Sequence, residues 1–205
     1  HFLAACAAFE GDSQTAIDAS WRLVDKLDTV AMRQPGYETI QHYYSIPYYV
    51  LTKFARWEEI LAQPRPARDL LYPTAIWRYA RGMAYTGMGN LTAAENELTN
   101  LQLLQRNETI RNYTIWEINT VGDLLDIAAY VLEGELMARR GDFAAAERLL
   151  TKAVELEDGL SYNEPPDWFF SVRHHLGPVL ITMGRYADAE QLYRRDLELF
   201  PKNGF

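Results

Sequence analysis

Gly134-Glu-Leu-Met-Ala-Arg-Arg-Gly141-Asp-Phe143-Ala-Ala-Ala146 decides how the rest of the chain is read, because two other stretches share its plan. One is Gly82-Met-Ala-Tyr-Thr-Gly-Met-Gly89-Asn-Leu91-Thr-Ala-Ala94. The other is Gly177-Pro-Val-Leu-Ile-Thr-Met-Gly184-Arg-Tyr186-Ala-Asp-Ala189. Each has a glycine, a second glycine seven residues on, a large apolar residue two further, and an alanine three beyond that. Leu98, Leu150 and Tyr193 follow four residues after each alanine. Apolar residues recur at intervals of three and four on both sides of the central glycine, so both flanks are amphipathic helices. The central glycine marks a helix end that needs a left-handed residue. The first glycine and the alanine are expected to face one another, since small side chains let helices approach. Leu91, Phe143 and Tyr186 are expected where one helix pair meets the next. Such a hairpin cannot bury its apolar face alone, so copies must stack.

Around these stretches the chain is that of an ordinary folded domain. It has 205 residues, of which 48% are hydrophobic and 23% charged, enough apolar side chain for a sizeable core and too much for a disordered tail. A single cysteine, Cys6, excludes an internal disulfide framework and a cysteine-based metal cluster. The longest uncharged run, Thr39 to Thr52, is shorter than the ~20 residues of a membrane helix and is broken by Pro47, so no membrane insertion is expected. The net charge of −8 argues against a nucleic-acid partner. The chain opens at His1 and closes on Pro201-Lys202-Asn203-Gly204-Phe205, where we expect a new element to start; we expect a segment of a longer protein.

The spacing resembles the tetratricopeptide repeat. Leu176-Gly177, Ala189, Tyr193 and Pro201 fall on that repeat's signature places, as do Gly134, Ala146, Leu150 and Ala153, and Gly82, Tyr85, Ala94 and Leu98. A degenerate copy carries Ala4, Gly11, Ala16 and Leu23; another carries Tyr48, Leu51, Trp57 and Ile60. The resemblance implies an all-α, right-handed solenoid of about ten helices, with repeats near 1–28, 41–63, 75–106, 127–158 and 170–203. Gly89 to Gly141 spans 52 residues and Gly141 to Gly184 spans 43, against 34 for that repeat. The excess falls near 107–122 and 159–167. Asp196 stands where the repeat has alanine, Pro201 is expected to close the last helix, and Pro47 and Pro178 should kink theirs. His1-Phe-Leu-Ala, Phe54-Ala-Arg-Trp57-Glu-Glu-Ile-Leu and Tyr162-Asn-Glu-Pro-Pro-Asp-Trp168 are similar to the C-terminal half of a group of bacterial tetratricopeptide proteins without an assigned role. Many of these look exported, so cytoplasm and periplasm both stay open.

In that family the first helix of each hairpin lines the concave face. Carried over, the face holds His42, Ser45, Tyr49, Thr52 and Lys53, then Ile76, Tyr79, Met83 and Thr86, then Val131, Glu135, Arg139 and His174. His42, Tyr49, Tyr79, Met83, Glu135, Arg139 and His174 are the expected contacts to a protein or peptide partner. The alternative is that some of them pack against the neighbouring insertions. Nothing points to catalysis, a metal or a cofactor. His174 and His175 diverge by about 100° on a helix and cannot clamp one ion together, and the histidines read as solvated or groove-lining. Cys6, among alanines, reads as a small buried filler. Asp123 reads as a helix N-cap, and Glu155, Glu157, Asp158, Glu164 and Asp167 as solvated charges at a helix end and loop. Sequons at Asn90, Asn107 and Asn112 read as chance. We expect a non-catalytic interaction scaffold. The alternatives are an architectural module, oligomerising through the solenoid ends, and an accessory segment of an enzyme whose chemistry lies elsewhere.

Overall fold

Gly11, Gly89, Gly141 and Gly184 all have φ between 75° and 82°, the left-handed region that closes a helix. After three of them comes an Asp or Asn whose side chain accepts from the backbone N–H three residues on: Asp12 from Thr15, Asn90 from Ala93 and Asp142 from Ala145. One residue ends a helix and the next starts another, which is why these turns are so short. Asn107 caps in the same way, onto Ile110, so two of the three sequon asparagines are structural caps.

The computed structural model describes residues 1–200; Pro201 lies outside the described residues. They form α1 (Phe2–Glu10), α2 (Ser13–Val24), α3 (Thr39–Lys53), α4 (Trp57–Ala62), α5 (Leu71–Gly87), α6 (Leu91–Gln105), α7 (Glu108–Arg111), α8 (Val121–Arg139), α9 (Phe143–Asp158), α10 (Arg173–Thr182) and α11 (Tyr186–Leu199). The fold class is all-α. The strand content among the described residues is one small antiparallel ladder, β1 (Thr114–Ile115) with β2 (Asn119–Thr120). Helices pack in consecutive pairs, α1 with α2, α3 with α4, α5 with α6, α8 with α9 and α10 with α11. The pairs are joined where α2 meets α3, α3 meets α5, α5 and α6 meet α8, and α9 meets α10. A continuous core runs through them, from Ala4 and Ala8 at one end to Leu180 and Ala189 at the other.

The first glycine of each stretch does not chiefly accommodate the alanine. A Cβ on Gly134 would lie 2.7 Å from Leu150 Cγ, and one on Gly177 would collide with the Tyr193 ring. On Gly82 it would collide with Leu132 of the following pair. Glycine is thus the hole and a large side chain the knob. Gly134→Val should therefore destabilise by about 1–3 kcal/mol through overpacking against Leu150, which is buried. Gly177→Val should cost less, because half-buried Tyr193 can swing outward. Urea unfolding checks both; a parent-like midpoint for Gly134→Val would mean that Leu150 has room to turn away.

Three expectations need correcting. Cys6 is exposed, because α1 buries only its Ala4, Ala5, Ala7 and Ala8 side. The cap of α8 is Thr120, one turn before the expected helix start: its hydroxyl accepts from the Asp123 N–H at 3.1 Å and donates to Asp123 Oδ2 at 2.6 Å. Asp123 stands at the third helical position and takes the cap's hydroxyl proton rather than capping the helix itself. Glu157 and Asp167 are buried, each with hydrogen-bonding partners, rather than solvated. Pro47 lies inside α3 and Pro178 inside α10, as expected.

Candidate functional site

The first helices of four successive pairs share one cleft of about 350 Å³. Thr52 and Lys53 come from α3, Met83, Thr86 and Gly87 from α5, Glu135 and Arg139 from α8, and His174 and His175 from α10. Trp57, at the start of α4, and Phe170, from the α9–α10 connection, complete the wall. Four of the expected contact residues are therefore brought together: Met83, Glu135, Arg139 and His174. Arg139 is exposed, lines the cleft and donates to the Gly87 carbonyl at 3.3 Å.

His42, Tyr49 and Tyr79 do not join them. All three are buried, with Tyr49 and Tyr79 at 0% exposure. For the two tyrosines the reason is the connection between α9 and α10. It sends Trp168 against both tyrosines, edge-on to Tyr49 at 5.4 Å and 80°, and to Tyr79 at 5.5 Å and 61°. Phe169 lies nearly parallel to Tyr49 at 6.4 Å. His42 shares a 2.8 Å hydrogen bond with the Tyr72 hydroxyl, and burial lowers its pKa to about 3, so it is a neutral core imidazole. The expectation that these three contact a partner is corrected: their apolar stripe is covered by the chain itself.

The connection is clasped by the other insertion. Asn119 on β2 donates to Asp167 Oδ2 at 2.8 Å and to the Ser161 carbonyl at 2.9 Å, and accepts from the Ser161 N–H at 2.7 Å. Asn163 donates to the other Asp167 oxygen at 2.8 Å. Burial raises the Asp167 pKa while these two amides pull it back down. The two stretches of extra length therefore hold each other, and together they fill the His42–Tyr79 part of the face.

The open cleft is polar along its floor. His175 Nδ1 meets Glu135 Oε1 at 2.6 Å, joining α10 to α8, and His174 Nε2 meets Asp196 Oδ2 at 2.8 Å, joining α10 to α11. The aspartate that departs from the repeat pattern is therefore a buried histidine partner. The Thr52 and Thr86 hydroxyls donate to the carbonyls of Tyr48 and Gly82 in their own helices, both at 2.8 Å. Lys53 places its ammonium 5.4 Å from the Phe9 ring centre and 5.6 Å from that of Phe170; burial lowers its pKa to about 8.

Sequence reasoning missed Trp57, Phe170 and His175 as wall residues. A signal for the first lies in the glycine at the end of α5. A Cβ on Gly87 would come within 2.7 Å of the Trp57 indole, so the glycine marks where the ring crosses the helix. Among the described residues, no three of His, Cys, Asp and Glu converge as metal ligands, and no helix is long and apolar enough to cross a membrane. Comparison with protein-family models, with curated proteins and with solved structures gives no match.

Proposed function

We propose that the chain is a right-handed solenoid of tetratricopeptide-like hairpins acting as a non-catalytic scaffold, which holds a peptide segment of a protein partner in the Met83–His174 cleft. The observation that carries this reading is the cleft's construction: one turn from each of α3, α5, α8 and α10 supplies a wall residue, so an extended ligand meets each pair in succession. Trp57, Met83 and Phe170 offer apolar and aromatic contact, and Arg139 offers a planar donor fork for a carboxylate or carbonyl. Aromatic and arginine anchors in a sheltered pocket are the kind of residue on which peptide affinity concentrates. The face also already accommodates an irregular stretch of chain, since the bent segment carrying Trp168 and Phe169 packs on it without helix or strand.

The test is a selection of displayed random peptides on this chain, followed by calorimetry of an enriched peptide. Arg139→Ala should weaken binding about tenfold or more while leaving the melting temperature within a few degrees, because the side chain is exposed. Tyr79→Ala cannot serve as the companion variant, since it would report on stability. Unchanged affinity in Arg139→Ala and in Glu135→Gln would place peptide binding elsewhere and sink the proposal.

A further inference from the structure

His175 is hydrogen-bonded along one edge of its ring only. Nδ1 meets Glu135 Oε1 at 2.6 Å, and a carboxylate can only accept, so Nδ1 carries the ring hydrogen. The lone pair of the neutral ring then sits on Nε2. That nitrogen is buried, and no N–H or O–H among the described residues donates to it. The side chain as a whole is 10% exposed. A buried acceptor without a donor weakens a fold, so its presence needs a reason.

The position of the ring supplies one. His42, Tyr79 and Trp168 also bury a polar atom that makes no hydrogen bond, but none of them lines the cleft. His175 does, together with Arg139, which stands one turn along α8 from the glutamate that holds the ring. The wall thus carries an oriented acceptor and a donor fork. A peptide carries the complementary groups, N–H and C=O, at every residue. Phe170, half-buried on the irregular α9–α10 connection, lies against the His175 ring at 5.2 Å and 45°, and is the neighbour a ligand would shift to reach Nε2.

We infer that His175 Nε2, oriented by Glu135, accepts an amide N–H of the bound peptide, so that the cleft selects a neutral hydrogen-bond donor at this point and turns away a carboxylate. The inference rests on the peptide reading above and names the group that the peptide must present. A carboxylate would set its own lone pairs against that of Nε2, whereas an amide N–H completes the ring's hydrogen bonding.

Calorimetry of a displayed peptide enriched at pH 8 tests this on the parent chain and on His175→Phe, which keeps a ring in the wall and removes the acceptor. His175→Phe should weaken binding about tenfold while its circular dichroism matches the parent. Replacing the peptide's amides one at a time by esters, and its Asn or Gln side chains by Ala, separates a main-chain donor from a side-chain one. One such change should cost about tenfold in the parent and nothing in His175→Phe. Acid that protonates Nε2 removes the acceptor, so the parent's affinity should fall between pH 8 and pH 5 and the variant's should not. The other charged and titratable groups around the ring are Lys53 on α3, Glu135 and Arg139 on α8, His174 on α10 with Asp196 on α11, and the Arg173–Glu157–Asp158 cluster; all are present in both chains. Should His175→Phe fail to fold, the parent alone gives the same reading, because the penalty of the critical ester or alanine should vanish at pH 5. Where Arg139→Ala weakens the peptide, the peptide occupies the cleft; an affinity that then rises on acidification, or no substitution coupled to His175, overturns the inference and leaves the peptide reading standing. If neither Arg139→Ala nor His175→Phe changes affinity, both fall.

Discussion

Trp168→Ala should lower the free energy of unfolding by about 3–5 kcal/mol, the range for deleting a large aromatic from a core. The side chain is 2% exposed although it belongs to a connection, and it contacts tyrosines of both α3 and α5. Alanine leaves a void between two helices and the α9–α10 connection, which cannot all close in together. The loss also removes the apolar reason for the connection to lie down, so the clasp between Asn119 and Asp167 would have to hold it alone. Two to three hydrogen bonds contribute about 1 kcal/mol each, too little to replace the indole. Tyr162→Ala, in the same connection but at an 80% exposed position, should leave the urea midpoint within error. Equal midpoints for Trp168→Ala and the parent would mean that the connection is a loose flap and that Tyr49 and Tyr79 are open to ligands after all.

That connection also marks where the sequence stops being legible. Helix starts and stops were readable because each depends on a few adjacent residues, such as Gly141 ending one helix and Asp142 capping the next. The extra length near 107–122 and 159–167 was readable as spacing. What it packs against was not, since neither Asn119 nor Trp168 carries a local mark of its distant partner. The same limit explains the face residues. The resemblance to the tetratricopeptide repeat puts His42, Tyr49, Tyr79, Met83, Glu135, Arg139 and His174 on the face of first helices, but a repeat register cannot say which part of a face another segment covers. Trp168 and Phe169 cover Tyr49, Trp168 also covers Tyr79, and His42 lies against His1 and Tyr72. The hole opposite Gly134 lies one turn from the expected alanine for a related reason: small size in a sequence does not say what fills it, and glycine here admits Leu150.

Arg173 is the second position where a single change should be severe, and its cost should depend on pH. The residue is 3% exposed at the start of α10. One guanidinium nitrogen grips both oxygens of Asp158, at 2.8 and 2.7 Å, and another lies 3.7 Å from Glu157 Oε2. Glu157 also accepts the Val172 N–H at 2.9 Å, so the end of α9 and the start of α10 are pinned together by one buried cluster. Burial raises the Glu157 pKa from 4.5 to about 8, against the pull of that N–H and of Arg173. A carboxyl raised on folding keeps a proton that the unfolded chain gives up. Its contribution to stability is therefore full below about pH 4.5 and is lost as pH rises through about 8. Arg173→Met removes the nearest positive charge and should raise the folded pKa further. The variant's deficit should accordingly be smallest near pH 5, where Glu157 is protonated in the fold. It should approach about 3–5 kcal/mol above pH 8, the usual cost of leaving a buried charge without its partner. Adding Glu157→Gln to Arg173→Met should flatten that dependence, because the amide cannot ionise. Urea unfolding of the parent and both variants at several pH values reads all of this. A deficit that is the same at pH 5 and pH 9 would show that Arg173 acts through packing and Asp158 alone, with Glu157 charged throughout.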